Sequence, residues 1–192
     1  ALSWGLGLNV FTDGSRQAAG YDLAQFAVFC ASNSGRTKEV VLLAKQLADM
    51  GNDHRYGLSA NKGTLLEEAC KETFVLTCGW EQAVAATKSV IEQALFYESI
   101  MRHIAGAISQ LNCPRLAGML ETALTLPIDA AIVKAAAQAP TIYFAGYNDG
   151  VAEELTLKTN EITRNKSDFL EGTYAVHGIE EVMDPNDIVF VV

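Results

Sequence analysis

The segment FAVFCASNSGRTKE, residues 26–39, decides the fold of this chain. Its first six residues are apolar or small, which predicts a buried strand over 26–31. A helix from about Thr37 to Met50, closed by Gly51, is predicted next. The apolar face of that helix has the spacing i, i+3, i+4, i+7 and consists of Val40, Leu43, Ala44 and Leu47. A strand that leads through a short polar loop into a helix is the repeating unit of an α/β fold with a parallel sheet.

The rest of the chain repeats this alternation of short apolar runs and helix-like segments. Strands are predicted at 9–12, 55–59 and 73–77, and helices at 65–70, 84–110 and 128–138. Thr64 and Glu67 form a capping pattern at the start of the 65–70 helix. Pro140 interrupts the alternation, which resumes with a strand at 141–145, a helix at 151–163 and a last strand at 188–192. We therefore predict one domain over 1–139 and a similar second domain over 140–192 that is incomplete.

Composition excludes several classes of function. The 192 residues carry a net charge of −9, so the chain lacks the basic surplus that non-specific nucleic-acid binding requires. The hydrophobic fraction of 49% predicts a sizeable core, but no apolar run reaches the ~18–20 residues of a membrane span. The four cysteines (Cys30, Cys70, Cys78 and Cys113) have no metal-ligand spacing. We expect reduced thiols in a cytoplasmic protein, without a membrane or nucleic-acid partner and without a metal or other cofactor.

The loop between the 26–31 strand and its helix is suited to an anion. In a parallel sheet, ligands bind beyond the carboxyl ends of the strands, and the first amides of a helix carry partial positive charge. Ser32, Ser34 and Thr37 add hydroxyl donors, Asn33 adds an amide, and Gly35 allows close approach of the backbone. The alternative is an ordinary helix N-terminus, because Ser, Asn and Thr are favoured there for capping alone.

A second segment, LKTNEI at residues 157–162, combines groups that move protons. Lys158 and Glu161 are three residues apart and share one helix face, and His177 follows. A carboxylate can carry a proton between neighbouring carbons, an ammonium can stabilise an enediolate, and an imidazole titrates near neutrality. The alternative is a solvated helix surface with a structural histidine, and Asp168 or Glu171 could instead supply the acid–base group.

Three ordered motifs resemble the SIS (sugar isomerase) family. SNSGRTKE at 32–39 resembles its Ser-x-Ser-Gly-x-Thr-x-Glu phosphosugar loop. EQAVAATKS at 81–89 resembles its Glu-x-x-Val-Ala-x-Thr-Lys segment, and LKTNEI with the later His177-Gly178 resembles its Leu-Lys-x-Lys-Glu-Ile and His-Gly-Pro segment. The chain is therefore identified as similar to this family from residue 26 to residue 178.

The resemblance implies a fold and a set of roles. The fold would be a three-layer αβα sandwich with a parallel sheet, whose first strand–loop lies outside this sequence. The sugar phosphate would rest on Ser32, Asn33, Ser34 and Thr37, and backbone atoms of Val84 and Ala85 would touch the sugar hydroxyls. Glu161 would move the proton between C1 and C2, His177 would assist ring opening, and Lys158 would lie beside the sugar oxygens. A homodimer or higher homo-oligomer is also implied, with His177 acting in the partner's site.

Several readings stay open at this level. Asn160 stands where the family often has Lys, and Ile179 where it often has Pro. We expect an aldose–ketose isomerase, a deglycase or a deaminase that acts on a hexose or hexosamine 6-phosphate. A non-catalytic phosphosugar sensor is the competing class, because it would need the Ser32–Thr37 loop and not Glu161. The apolar 84–110 helix favours either a subunit interface or a helix buried within a monomer.

Overall fold

The computed structural model describes residues 6–147, 149–173, 175 and 177–192, except for the side chain of Ser109. The chain forms two compact units, Ala1–Cys113 and Pro114–Val192. The predicted domain boundary, near Pro140, lies within the second of these units. The contact boundary lies before the two helices that precede this proline, so those helices belong to the second unit.

The first unit contains a three-stranded parallel sheet in the order β1-β2-β3. The strands are β1 (Val28–Ala31), β2 (Arg55–Ser59) and β3 (Glu72–Val75). Its helices are α1 (Ser15–Ala18), α2 (Lys38–Asp49), α3 (Leu65–Ala69) and α4 (Lys88–Ile104), and Ile108–Gln110 is a 3-10 turn. Because neighbouring strands are parallel, the carboxyl ends of all three lie at the same edge of the sheet.

Helix α2 supplies much of the first core. Val41, Leu43, Ala44 and Leu47 are buried against Cys30, Leu66, Ala69 and Cys70, whereas Val40 is only partly buried. The apolar spacing therefore located the face of the helix to within one residue. Gly51 follows the helix with a φ of +75°, a left-handed conformation that glycine adopts without steric cost.

The second unit contains another three-stranded parallel sheet, in the order β5-β4-β6. The strands are β4 (Ile142–Gly146), β5 (Ser167–Glu171) and β6 (Ile188–Val191). Its helices are α5 (Cys113–Thr125), α6 (Ala130–Gln138) and α7 (Val151–Lys158), followed by a π-helical turn at Thr159–Thr163 and a 3-10 turn at Ile179–Glu181. The core of this sheet includes Tyr143, Ala145 and Leu170. The alternation of strands and helices in both units confirms the predicted α/β class with parallel sheets.

Several elements differ from the prediction. Residues 9–12 are irregular rather than a strand, and Val10 and Phe11 are exposed, because no described strand pairs with them. The predicted 84–110 helix is shortened to α4, and the predicted 151–163 helix becomes α7 plus the π-helical turn. Helix α5 and strand β5 were not predicted.

Within the described residues, no single helix is long and apolar enough to cross a membrane. Only the pair α5 and α6, taken together and bent by 81°, is long and apolar enough.

Candidate functional site

The Ser32–Thr37 loop joins the carboxyl end of β1 to the start of α2. The hydroxyl oxygens of Ser32 and Thr37 lie 2.8 Å apart, and the Thr37 amide donates to Ser32 Oγ at 3.4 Å. Ser34 Oγ accepts a hydrogen bond from the Arg36 amide at 3.2 Å. Ser32 is buried, Ser34 is half-buried and Thr37 is exposed. The turn thus gathers three hydroxyl groups at a helix N-terminus, where an anion is favoured.

Gly35 lets this loop lie directly on the start of α3. Its φ is +63°, and a Cβ at this position would lie 2.5 Å from side-chain atoms of Thr64. The Gly35 carbonyl accepts from the Leu66 amide at 3.1 Å. Thr64 Oγ1 accepts from the Glu67 amide at 3.3 Å, and Glu67 Oε2 accepts from the Gly63 amide at 2.6 Å. The predicted capping pattern is confirmed, and the capped helix start is the surface on which the loop rests.

Asn33 is fixed through its backbone and not through its side chain. Its carbonyl accepts hydrogen bonds from the Ala60 amide at 3.0 Å and from Asn61 Nδ2 at 3.1 Å. Its side-chain Oδ1 is buried and has no hydrogen-bond partner among the described residues. An unpaired buried amide oxygen is costly, so a ligand donor at this point would be stabilised.

Glu92 of α4 fixes the start of the loop after β3 through hydrogen bonds. One carboxylate oxygen of Glu92 accepts from both the amide and the hydroxyl of Thr77 at 2.6 Å, and the other accepts from the Cys78 amide at 2.7 Å. Burial opposes ionisation of this group, but the hydrogen bonds from Thr77 and Cys78 lower the pKa of Glu92 to about 2. The carboxylate therefore stays ionised across the physiological pH range.

Glu81 holds the other end of the same loop. It accepts a hydrogen bond from the Ser89 hydroxyl, and it accepts from the amides of Thr87 at 2.9 Å and Lys88 at 2.8 Å. The Ser89 hydroxyl and these amides lower the pKa of Glu81 to about 2. Because Glu81 satisfies the free amides at the start of α4, the helix begins at Lys88 and not at the predicted residue 84.

The two candidate sugar-contacting residues lie in the loop between these anchors. Val84 is 97% exposed, whereas Ala85 is buried. Lys88 Nζ donates to the Cys78 carbonyl at 3.1 Å and so connects the two ends of the loop. The ends of the 78–88 segment are therefore held by this hydrogen bond and by the carboxylates of Glu81 and Glu92.

In the second unit, Lys158 and Glu161 form a close ion pair. Lys158 Nζ lies 2.6 Å from Glu161 Oε2, and the two side chains are 19% and 31% exposed. The pair lies where α7 passes into the π-helical turn, and α7 itself follows the carboxyl end of β4. Desolvation disfavours the charged ammonium, but its hydrogen bond to Glu161 and the nearby Glu154 raise the pKa of Lys158. The predicted shared face thus carries a carboxylate and a persistent cation side by side.

The other candidates of this unit are less constrained. His177 is exposed in the loop after β5, next to Gly178 with a φ of +91°. Asp168 Oδ1 accepts from the Phe169 amide, and Glu171 Oε2 accepts from the Thr173 amide, so both acids have local backbone partners. Among the described residues, no group of three His, Cys, Asp or Glu side chains could hold a metal ion.

Asn160, at the position where the resembling motif often has Lys, bonds to the backbone of Ser167. Its Nδ2 donates to the Ser167 carbonyl at 3.2 Å, and its Oδ1 accepts from the Ser167 amide at 2.9 Å. The side chain therefore ties the π-helical turn to the first residue of β5. A lysine has no acceptor atom and could not make both bonds.

Sequence reasoning missed two acids that organise these sites. Glu154 lies four residues before Lys158, and that spacing on a helix is a readable signal for an ion pair. Glu92 contacts Thr77, which is 15 residues earlier in the chain, and no local sequence pattern predicts such a contact. Each unit thus assembles its own candidate residues, the hydroxyl loop in the first and the Lys158–Glu161 pair in the second.

Comparison with known proteins identifies the fold. Neither a family model nor a curated protein matches the chain. Among solved structures, the C-terminal domain of glucosamine-fructose-6-phosphate aminotransferase from Francisella tularensis matches 99% of this chain and 58% of its own, with a TM-score of 0.77 and 18% identity. Tagatose-6-phosphate ketose/aldose isomerase from Escherichia coli matches 99% of this chain and 56% of its own, with a TM-score of 0.71 and 15% identity.

A third similar structure is that of a deaminase. Glucosamine-6-phosphate deaminase from Thermotoga maritima matches 85% of this chain and 51% of its own, with a TM-score of 0.63 and 20% identity. The chain therefore spans a little more than half the length of the structures that it matches. These matches confirm the SIS-type α/β fold that the sequence resemblance implied, and at these identities they establish the fold alone.

Proposed function

We propose that this chain belongs to a phosphosugar isomerase-type enzyme of the SIS family that acts on a hexose or hexosamine 6-phosphate. The reaction would be aldose–ketose isomerisation, or a related deglycase or deaminase reaction. The observation that carries this proposal is the contact of Lys158 Nζ with Glu161 Oε2 at 2.6 Å. An isolated surface acid would not suit this chemistry, since a proton shuttle for a carbonyl compound also needs a cation close to the developing oxyanion.

The phosphate would bind in the Ser32–Thr37 loop. Hydroxyls of Ser32, Ser34 and Thr37 and the first amides of α2 would donate to its oxygens, and the Asn33 side chain would face the ligand. The mutual contact of Ser32 and Thr37 at 2.8 Å holds both hydroxyls ready at the helix start. Hydroxyl donors and a helix dipole suit a phosphate site in this acidic chain, and Arg36 and Lys38 add positive charge next to the loop.

The proton transfer would run through Glu161. The carboxylate takes the proton from the carbon next to the carbonyl, and the electron pair of that C–H bond moves to form an enediolate. Glu161 then returns a proton, partly exchanged with solvent, to the neighbouring carbon, and the remaining hydroxyl proton passes to the former carbonyl oxygen. Lys158 would stabilise the enediolate oxygen. His177, whose side chain is exposed, would protonate the ring oxygen during opening. Backbone atoms of Val84 and Ala85 would hold the sugar hydroxyls.

Names of the structural neighbours support the class of substrate. One is a domain of a glucosamine-fructose-6-phosphate aminotransferase, one is a glucosamine-6-phosphate deaminase and one is a tagatose-6-phosphate ketose/aldose isomerase. We further propose that the protein functions as a homodimer or larger homo-oligomer, with His177 acting in the partner's site. Light scattering on the purified protein checks this assembly, and a fully active monomer would contradict it.

A phosphosugar sensor is the second candidate. It is favoured by one observation, namely that the hydroxyl loop is complete within the first unit and needs nothing from Lys158 or Glu161. A sensor would bind sugar phosphates with equal affinity after Glu161→Gln and would never exchange substrate hydrogen with solvent.

Solvent-deuterium exchange tests the proposed enzyme against the sensor. The purified protein is incubated in heavy water with hexose and hexosamine 6-phosphates and their amine adducts, and NMR follows the C1 and C2 positions. Deuterium should enter C1 or C2 with the wild type and with Glu153→Gln, a control at an exposed position of α7. Binding without exchange for every compound would reject the isomerase proposal and leave the sensor.

A further inference from the structure

Glu154 brings a second carboxylate to Lys158. Its Oε1 lies 3.4 Å from Lys158 Nζ, on the side of the helix that also carries Glu161. This oxygen is buried and has no hydrogen-bond partner among the described residues, although the side chain as a whole is 37% exposed. Lys158 therefore lies between two acids, one in direct hydrogen-bond contact and one slightly farther away.

The proposed reaction changes the charge of one of these acids. When Glu161 accepts the substrate's proton it becomes neutral, and its attraction for the ammonium largely disappears. Lys158 is only 19% exposed, so solvent compensates little for this loss. A second carboxylate that takes no part in proton transfer would keep the ammonium charged and in position at this stage.

We propose that Glu154 is a positioning residue, the permanent counter-ion that holds the Lys158 ammonium charged and in place while Glu161 carries the substrate's proton. This inference rests on the proposed function. Glu154 neither gives nor takes a proton in the cycle. The proton from the substrate carbon moves to Glu161, Glu161 returns a proton to the neighbouring carbon, and Lys158 remains protonated throughout.

Near Lys158, Glu154 is the carboxylate that can act as its counter-ion while Glu161 is neutral. Helix α7 packs on β4 and β5. The acids of β5 are Asp168 and Glu171, which accept hydrogen bonds from nearby backbone amides, and the titratable residue of β4 is Tyr143. Within the described part of the chain, the charged groups that act on Lys158 are Glu154 and Glu161.

NMR titration of the Lys158 side chain tests the counter-ion role without any need for turnover. The protein is labelled at lysine Cε, and the titration midpoint is compared in wild type, Glu161→Gln, Glu154→Gln and the double variant. Glu161→Gln imitates the neutral, protonated form of Glu161. The titration midpoint of Lys158 in this variant should therefore stay above that in the double variant by about 0.2–0.7 pH unit. Glu153→Gln, one residue away and exposed, should titrate like wild type.

The pH dependence of turnover gives a second measurement. Glu154→Gln should lower kcat and leave KM for the sugar phosphate unchanged. The alkaline limb of the plot of kcat against pH should move to lower pH by a few tenths of a unit. Glu154→Asp keeps the charge and should titrate closer to wild type, which separates the loss of charge from a change in packing. Equal Lys158 midpoints in Glu161→Gln and the double variant would overturn the proposal. Absence of turnover in the wild type would overturn the proposed function and leave the titration result to be judged by itself.

Discussion

The Ser32–Thr37 loop and the Lys158–Glu161 pair present their polar groups in different ways. In the loop, neutral hydroxyls and amides are fixed by backbone bonds and by the contact of Gly35 with Thr64. In the pair, oppositely charged side chains fix each other at 2.6 Å, with Glu154 at 3.4 Å. A rigid set of hydroxyl and amide donors suits a phosphate, whose charge stays the same through the reaction. A charged pair suits a reaction in which a proton arrives and leaves. The contrast predicts that substitutions in the first region impair binding or folding, and that those in the second impair turnover.

Glu161→Gln should give the largest effect and is the sharpest way to break this comparison. Gln keeps the shape and the hydrogen bonding but cannot accept a carbon-bound proton, so turnover should fall by about 10²–10⁴-fold. Calorimetry should show nearly unchanged affinity for the sugar phosphate. If the variant turned over substrate at the wild-type rate, the shuttle would have to be another acid, with Asp168 as the first to examine.

Gly35→Ala should destabilise the first unit through its backbone. The added Cβ meets Thr64 at 2.5 Å, and the φ of +63° is unfavourable for alanine, so urea unfolding should show a loss of about 2–4 kcal/mol. Gly63→Ala is the matched control, because its φ is +65° but its Cβ would meet nothing within 4 Å. Equal losses in the two variants would mean that the contact with Thr64 has no energetic role.

Ser34→Ala and Thr37→Ala should weaken phosphate binding while leaving the chemistry intact. Each removes a charge-assisted hydrogen bond, so the affinity for a sugar phosphate should fall by about 1.5–3 kcal/mol per variant. Thr122→Ala, which removes a hydroxyl from α5, is the control and should bind like wild type. Unchanged calorimetric affinity in both loop variants would show that the phosphate binds elsewhere.

Lowering the pH should reduce the stability that the loop between β3 and α4 contributes, and this is the smallest of the predicted effects. The pKa values of Glu81 and Glu92 are about 2, below the ordinary value of 4.5, so the unfolded chain binds protons first as the pH falls. Their stabilising contribution is complete above about pH 4.5 and disappears between there and pH 2. Glu92→Gln should cost about 1 kcal/mol or less at pH 6 and should make the acid loss shallower, as urea midpoints would show. Glu72→Gln, at an exposed position of β3, is the control, and an identical acid profile in all three proteins would contradict this assignment.

Much of the fold was readable from local patterns. The 55–59 strand was predicted at its observed bounds, and the predicted helices at 37–50 and 65–70 agree with α2 and α3 to within one residue at each end. These segments have clear periodicity, caps or flanking glycines, and such signals are local. The 9–12 strand failed because pairing with another strand, and not the apolar run itself, makes a strand. Strand β5 was missed because SDFLE at 167–171 lacks a continuous apolar run.

The candidate residues were named from the sequence, but their surroundings were not. Motif order pointed to Ser32, Thr37, Lys158 and Glu161, and helix spacing placed the last two on one face. The roles of Glu81 and Glu92 as anchors of one loop depend on chain segments that meet only after folding. The same holds for Asn33, whose backbone carbonyl is bound to the segment after β2 and whose buried amide oxygen has no hydrogen-bond partner among the described residues.

The sequence by itself determined the strand–helix alternation, the acidic balance and the identities of the candidate chemical groups, since these are properties of residue type and spacing. Tertiary structure alone decided that Thr64 packs on Gly35 and that Glu92 holds the turn after β3. It also decided that the Glu154 oxygen beside Lys158 is buried, although the i, i+4 spacing of these two residues is local. Burial and distance set the strength of a hydrogen bond or an ion pair. Helix spacing can set the distance locally, but burial arises only when segments remote in the chain pack together.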